Sequence, residues 1–117
     1  MLSTRWRTAR RTTTHYWCEA LAHTPHDGRT FWLGSHAATT PRLALRWLHS
    51  RTHQIADQLD PPNAHAVRQW LHYQPEYERA LTLLRLGQPY TYAFHDDGTD
   101  YHLTAQVLTR THTHRTP

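Results

Sequence analysis

The chain has 117 residues, 38% of them hydrophobic, which suits one domain with a modest core. All thirteen basic residues are Arg against nine acidic ones, and the formal charge of +4 leaves twelve His still to be protonated. A single Cys excludes a disulfide framework and any Cys-based zinc motif, and no apolar run approaches the length of a membrane span.

A basic balance of this kind favours polyanions or acidic protein surfaces as partners. The imidazole reference pKa of about 6.5 makes that preference pH-dependent. With no apolar leader at the N-terminus, a cytoplasmic protein without membrane contact is expected. No phosphate-binding glycine loop, nucleophile elbow or cofactor motif is present, so no cofactor is expected.

Residues 1–13 place Arg5, Arg7, Arg10 and Arg11 around Trp6 and read as a basic arm leading into a strand. Such an arm suits a phosphate backbone, with the indole free to stack on a base. A single α+β domain is expected over 14–108, opening with a β-hairpin from Thr14 to His36 that turns near Asp27-Gly28. Its register stays open. A two-residue turn sets Ala22 opposite Leu33, and a three-residue loop sets Leu21 there.

Thr40 as N-cap and Pro41 as first residue announce a long amphipathic helix. Ala44, Trp47, Leu48, Ile55 and Leu59 gather on its apolar side, with Arg42, Arg46, His49 and His53 opposite. Asp60-Pro61-Pro62 ends it, and Asn63 is placed to cap a second helix. There Ala66, Val67, Trp70 and Tyr73 face inward, and His65, Arg68, Gln69 and His72 face outward. Pro75 restarts the chain as a third helix with Tyr77, Ala80, Leu81 and Leu84 at helical spacing and Gly87 as its stop.

The second hairpin has two independent signals. Tyr90, Tyr92 and Phe94 alternate, as do Tyr101, Leu103, Ala105 and Val107, and a two-residue Asp97-Gly98 turn brings both sets to one side. Residues 109–117 read as a polar, basic C-terminal tail. The order is ββ-ααα-ββ, two β-hairpins flanking a helical insert. An α+β fold is predicted, its antiparallel sheet carrying helices packed on one face.

Three constellations bear on function. The predicted register of the second hairpin sets His95 opposite Asp100, with His102 on the same outer face. This His–Asp–His grouping has the acid and base needed for metal-free RNA cleavage. His49, His53 and Asp57 follow at helical spacing and have the donors of a weak divalent-metal site. The broadest candidate is a basic face made of Arg42, Arg46, His49, His53, Arg68 and His72 together with the arm. Guanidinium forks pair well with phosphate oxygens, so DNA or RNA backbone binding with little sequence preference is expected. A protein-binding modulator docking on an acidic partner is the alternative, and an RNase-like hydrolase the third reading. Trp47 and Trp70 belong to apolar stripes, and the open register of the first hairpin leaves room for one of Trp17 and Trp32 to be exposed, so Trp6 alone is free by sequence to contact a base.

Overall fold

In a computed structural model, which describes residues 8–115 and side chains from 14 to 109, the two hairpins and three helices appear in the predicted order. The elements are β1 (Thr8–Thr24), β2 (Arg29–Ala38), α1 (Pro41–Ala56), α2 (Pro61–Leu71), α3 (Gln74–Arg85), β3 (Tyr90–Asp96) and β4 (Thr99–Arg115). The four strands form one antiparallel sheet in the order β2-β1-β4-β3. The β1–β4 pairing joins the two hairpins into that one sheet. Helices cover one face only.

The β3–β4 hairpin has the predicted register, Tyr90↔Ala105, Tyr92↔Leu103 and Phe94↔Tyr101. Asp97 and Gly98 both take positive φ, 47° and 75°, as a turn matching the strands' right-handed twist requires. Next to its turn the β1–β2 hairpin follows neither predicted register, and from Ala20↔Gly34 onward it takes the register of the three-residue alternative. Its loop is four residues, Pro25–Gly28, so Thr24 pairs with Arg29 and Ala22 with Phe31. The loop is held by the Thr24 carbonyl, which accepts from the Gly28 N–H at 2.9 Å, and by Asp27, which accepts from the Arg29 N–H at 3.1 Å. A bulge then leaves Leu33 unpaired before Ala20 meets Gly34.

Strand boundaries also lie outside the predicted ones. β1 begins at Thr8 and β4 runs to Arg115, so segments read as arm and tail pair with each other from Thr8↔Arg115 inward. Seventeen residues at about 3.4 Å each span about 58 Å, which accounts for most of the 68 Å long axis. The radius of gyration, 19.0 Å, accordingly exceeds the about 13 Å of a compact 100-residue chain.

Thr40 caps α1 as expected, its hydroxyl accepting from the Leu43 N–H at 3.1 Å. The buried arc of α1 is Ala44, Leu45, Leu48, Thr52, Ile55 and Ala56. It is rotated from the predicted stripe, because Leu45 and Ala56 pack inward while Trp47 rides on the flank. Thr52 tolerates burial by donating its hydroxyl to the Leu48 carbonyl at 2.7 Å.

Asp60, not Asn63, is the N-cap residue of α2. Asn63 lies inside the helix, where it donates to the buried Asp96 carboxylate at 2.6 Å and so ties α2 to the end of β3. On α2 the buried residues are Ala64 and Val67, whereas Ala66 is exposed and Tyr73, at 59% exposure, stands outside the helix as the N-cap of α3. The α3 helix ends at Gly87 as predicted. Gly87 donates to Leu84, Gln88 donates back to Leu83 at 2.8 Å, and Gly87 takes φ 81°.

The core lies between α1 and a column of small β1 side chains. Cys18 and Ala20 are fully buried beside Leu103 and Ala105 of β4, and they let α1 approach closely. Burial pushes the Cys18 thiol up to about 11, so it is an inert packing group. A second layer joins α2, α3 and β3. Trp70 stacks on Tyr92 at 3.6 Å and donates to the Tyr90 hydroxyl at 3.1 Å. Tyr90 donates to Glu76 at 2.7 Å, and Arg79 grips the same carboxylate with two hydrogen bonds. The Arg79 guanidinium foremost, helped by Tyr90, holds the Glu76 carboxyl below its ordinary range.

Leu103 has no exposed surface at the centre of this core. Leu103→Ala is expected to lower unfolding free energy by about 2–5 kcal/mol, measured by urea denaturation. The surface change Gln106→Ala serves as the control and is expected to stay within about 0.5 kcal/mol.

Candidate nucleic-acid interface

The predicted basic helix face survives in part. Arg42, Arg46 and His53 are exposed on α1, and none of them forms an ion pair among the described residues. Arg46 borders a shallow cleft of about 380 Å³ with His36, Trp47 and Ser50, where His36 and Trp47 lie parallel at 6.0 Å.

Two predicted members do other work. His49 is not a solvated cation. It is wedged edge-on between Trp70 at 5.0 Å and Tyr77 at 5.6 Å, because the rotated arc of α1 brings it against α2 and α3. Burial first, and then the nearby His72, lower its pKa below the ordinary imidazole value. Arg68 is bound to Asp57 at 2.9 Å, which ties α2 to the end of α1. His72 remains exposed, its ring bonded to the Arg68 carbonyl at 2.8 Å.

The weak metal set of His49, His53 and Asp57 does not assemble. His49 packs on aromatic rings and Asp57 is engaged by Arg68. Among the described residues no three His, Cys, Asp or Glu side chains are grouped to hold an ion.

The outer face of the sheet carries no helix. His95 lies opposite Asp100, as the register predicts, with Nδ1 to Oδ1 at 2.6 Å, and His102 is exposed one row along. The β1 pairing adds His23, which stands opposite Asp100 from the other side and bonds Thr30 at 3.0 Å. Both His95 and His102 are exposed, so a scissile phosphate would meet them in open water. Trp32 shares the face and is 57% exposed, making it an indole free to stack. The sequence left open which of Trp17 and Trp32 is exposed, because their orientation depends on the four-residue loop and bulge. Trp17 on the same face is half-buried and donates to Glu19 at 2.6 Å.

Of the predicted arm, Arg5, Trp6 and Arg7 lie outside the described residues. Arg10 and Arg11 fall within β1, where their backbones pair with Thr113 and His112 of β4. No protein-family model, curated protein or solved structure matches the chain. Among the described residues no helix is long and apolar enough to cross a membrane.

The depressed His49 pKa has a definite sign in the stability. Below the ordinary imidazole value the unfolded chain binds a proton that the folded chain refuses, so stability falls as pH drops towards the folded pKa. His49→Leu is expected to lose less melting temperature than the parent chain between about pH 7.5 and 5.5. Thermal melts of both chains at the two pH values measure the difference.

Proposed function

We propose that this is a small non-enzymatic nucleic-acid-associated protein that grips a phosphate backbone along its β1–β4 ribbon and the adjoining α1 face. One observation carries the reading. Beyond Tyr16 and Val107 the two long strands pair alone through eight residue pairs, from His15↔Leu108 out to Thr8↔Arg115. Those residues include Arg10, Arg11, Arg110, Arg115, His15, His112 and His114, and no acidic residue. A two-stranded ribbon is one of the two forms that the DNA major groove admits, and guanidinium groups suit phosphate oxygens. Arg42, Arg46 and His53 extend the same positive character along α1. The lone, buried Cys18 accords with a reducing compartment such as the cytoplasm.

Binding of this kind is dominated by counterion release. Affinity for DNA or RNA is expected to fall at least about a hundredfold between roughly 50 and 200 mM salt. The quadruple change of Arg10, Arg11, Arg110 and Arg115 to Gln is expected to flatten the salt slope by about one unit for each contacting residue. Electrophoretic shifts across a salt series read both. Salt-independent affinity, or an unaltered slope in the quadruple variant, counts against the proposal.

A protein-binding modulator is the second reading, favoured by the helix-free sheet face on which Trp32 and Leu108 are 57% and 47% exposed. It predicts a stoichiometric protein partner that survives nuclease treatment and is lost on Trp32→Ser, scored by pull-down.

A further inference from the structure

The helix-side face of the sheet ends, near the hairpin turns, in a row of Phe94, Tyr101, Ala22 and Phe31 on the neighbouring strands β3, β4, β1 and β2. Phe94 and Tyr101 stack on each other at 5.0 Å. Ala22 stands between Tyr101 and Phe31 with only a methyl group. Strands lie about 4.8 Å apart, so these two aromatic residues are separated by two strand spacings, about 10 Å. Stacked rings settle with centroids about 4.5–7 Å apart, so a third ring placed over Ala22 has a stacking partner on either side. The slot opens into a cleft of about 440 Å³, bounded on the helix side by Arg51, Gln54, Ile55 and Gln58. That volume lies within the range of small-ligand sites.

Arg51 supplies an independent observation. Its Nη1 donates to Gln54 at 2.9 Å and its guanidinium carbon lies 5.4 Å from the centre of the Trp47 ring. It also passes over Gly34, where a Cβ would meet Nη2 at 3.0 Å, so the glycine makes room for it. These contacts fix the guanidinium without neutralising it, because Arg51 has no carboxylate partner among the described residues. A held, unpaired guanidinium is ready for an anion from outside.

We propose that this cleft binds a single nucleotide. The base enters the slot between Phe31 and Tyr101, the phosphate meets Arg51, and the side-chain amides of Gln54 and Gln58 face the base edge. The slot asks for a planar ring, the guanidinium for a negative charge, and the amides for a ring with donors and acceptors on its rim. A nucleotide meets all three demands, whether it arrives free or as an unpaired residue of a strand. The site is separate from the ribbon and stands or falls without it.

Calorimetric titration of the full chain with the four nucleoside monophosphates, the matching nucleosides and a single-stranded oligonucleotide tests this. Saturable binding of at least one phosphate-bearing probe is expected. Phe31→Ala, at a half-exposed position, and Ala22→Leu, which fills the slot, should each weaken it by about tenfold or more, because each removes base–aromatic stacking. Arg51→Met should abolish the preference for monophosphate over nucleoside. Tighter binding of the oligonucleotide identifies a strand as the source, and binding of the monophosphates alone identifies the free nucleotide. The ribbon variant with Gln at 10, 11, 110 and 115 should keep mononucleotide binding, which separates the two sites. No saturable binding of any probe, or unchanged affinity in Phe31→Ala with its fold verified by circular dichroism, overturns the proposal.

Discussion

The antiparallel pairing of β1 with β4 is the contact on which the rest of the molecule depends. A two-stranded hairpin alone is marginal in water, and this chain has two of them separated by the whole helical insert. Joining them at Tyr16↔Val107, Cys18↔Ala105 and Ala20↔Leu103 makes one sheet wide enough for three helices to cover. The residues at the seam explain the close fit. Cys18 and Ala20 are too small to hold α1 away, and the Cys18 sulfur comes within 3.8 Å of the Ala44 carbonyl.

The same two strands generate both candidate sites. Where β2 and β3 stop, β1 and β4 continue as the basic ribbon. At the other end the column of small β1 side chains runs on to Ala22, close to where α1 ends at Ala56, and the room that α1 fills elsewhere is left as a slot. Close packing in the middle of the sheet and open space at its end thus have one cause in the sequence of β1.

The charges divide into two populations. Arg29, Arg68 and Arg79 are matched to Asp27, Asp57 and Glu76. Such exposed pairs contribute little to stability, and their larger effect is to cancel field. Among the described residues Arg42, Arg46 and Arg51 keep theirs. The histidines divide as well. His49 is set apart from the exposed imidazoles, because it is wedged between Trp70 and Tyr77 and resists protonation. Acid therefore weakens the fold through His49.

Local signals in the chain were sufficient for the Thr40 cap, the Gly87 stop, the Asp97-Gly98 turn with its register, and the α+β order. Each is decided within a few residues by hydrogen bonding, φ preference or alternation, and so survives whatever the rest of the chain does. Tertiary contacts decided the remainder. The rotation of α1 was hidden because Leu45 and Trp47 are equally apolar, and only the small side chains of β1 choose between them. The first hairpin carried Asp-Gly without the strict alternation that would fix its register, so Thr24 and Asp27 bonding inside a longer loop prevailed. The meeting of Thr8–His15 with Leu108–Arg115 joins segments from opposite ends of the chain, and no local pattern encodes a pairing at that separation. Composition and periodicity determine which elements form, because those energies are local. Which basic groups stand free, and where a cleft is left, follow from contacts that exist only once the sheet has closed.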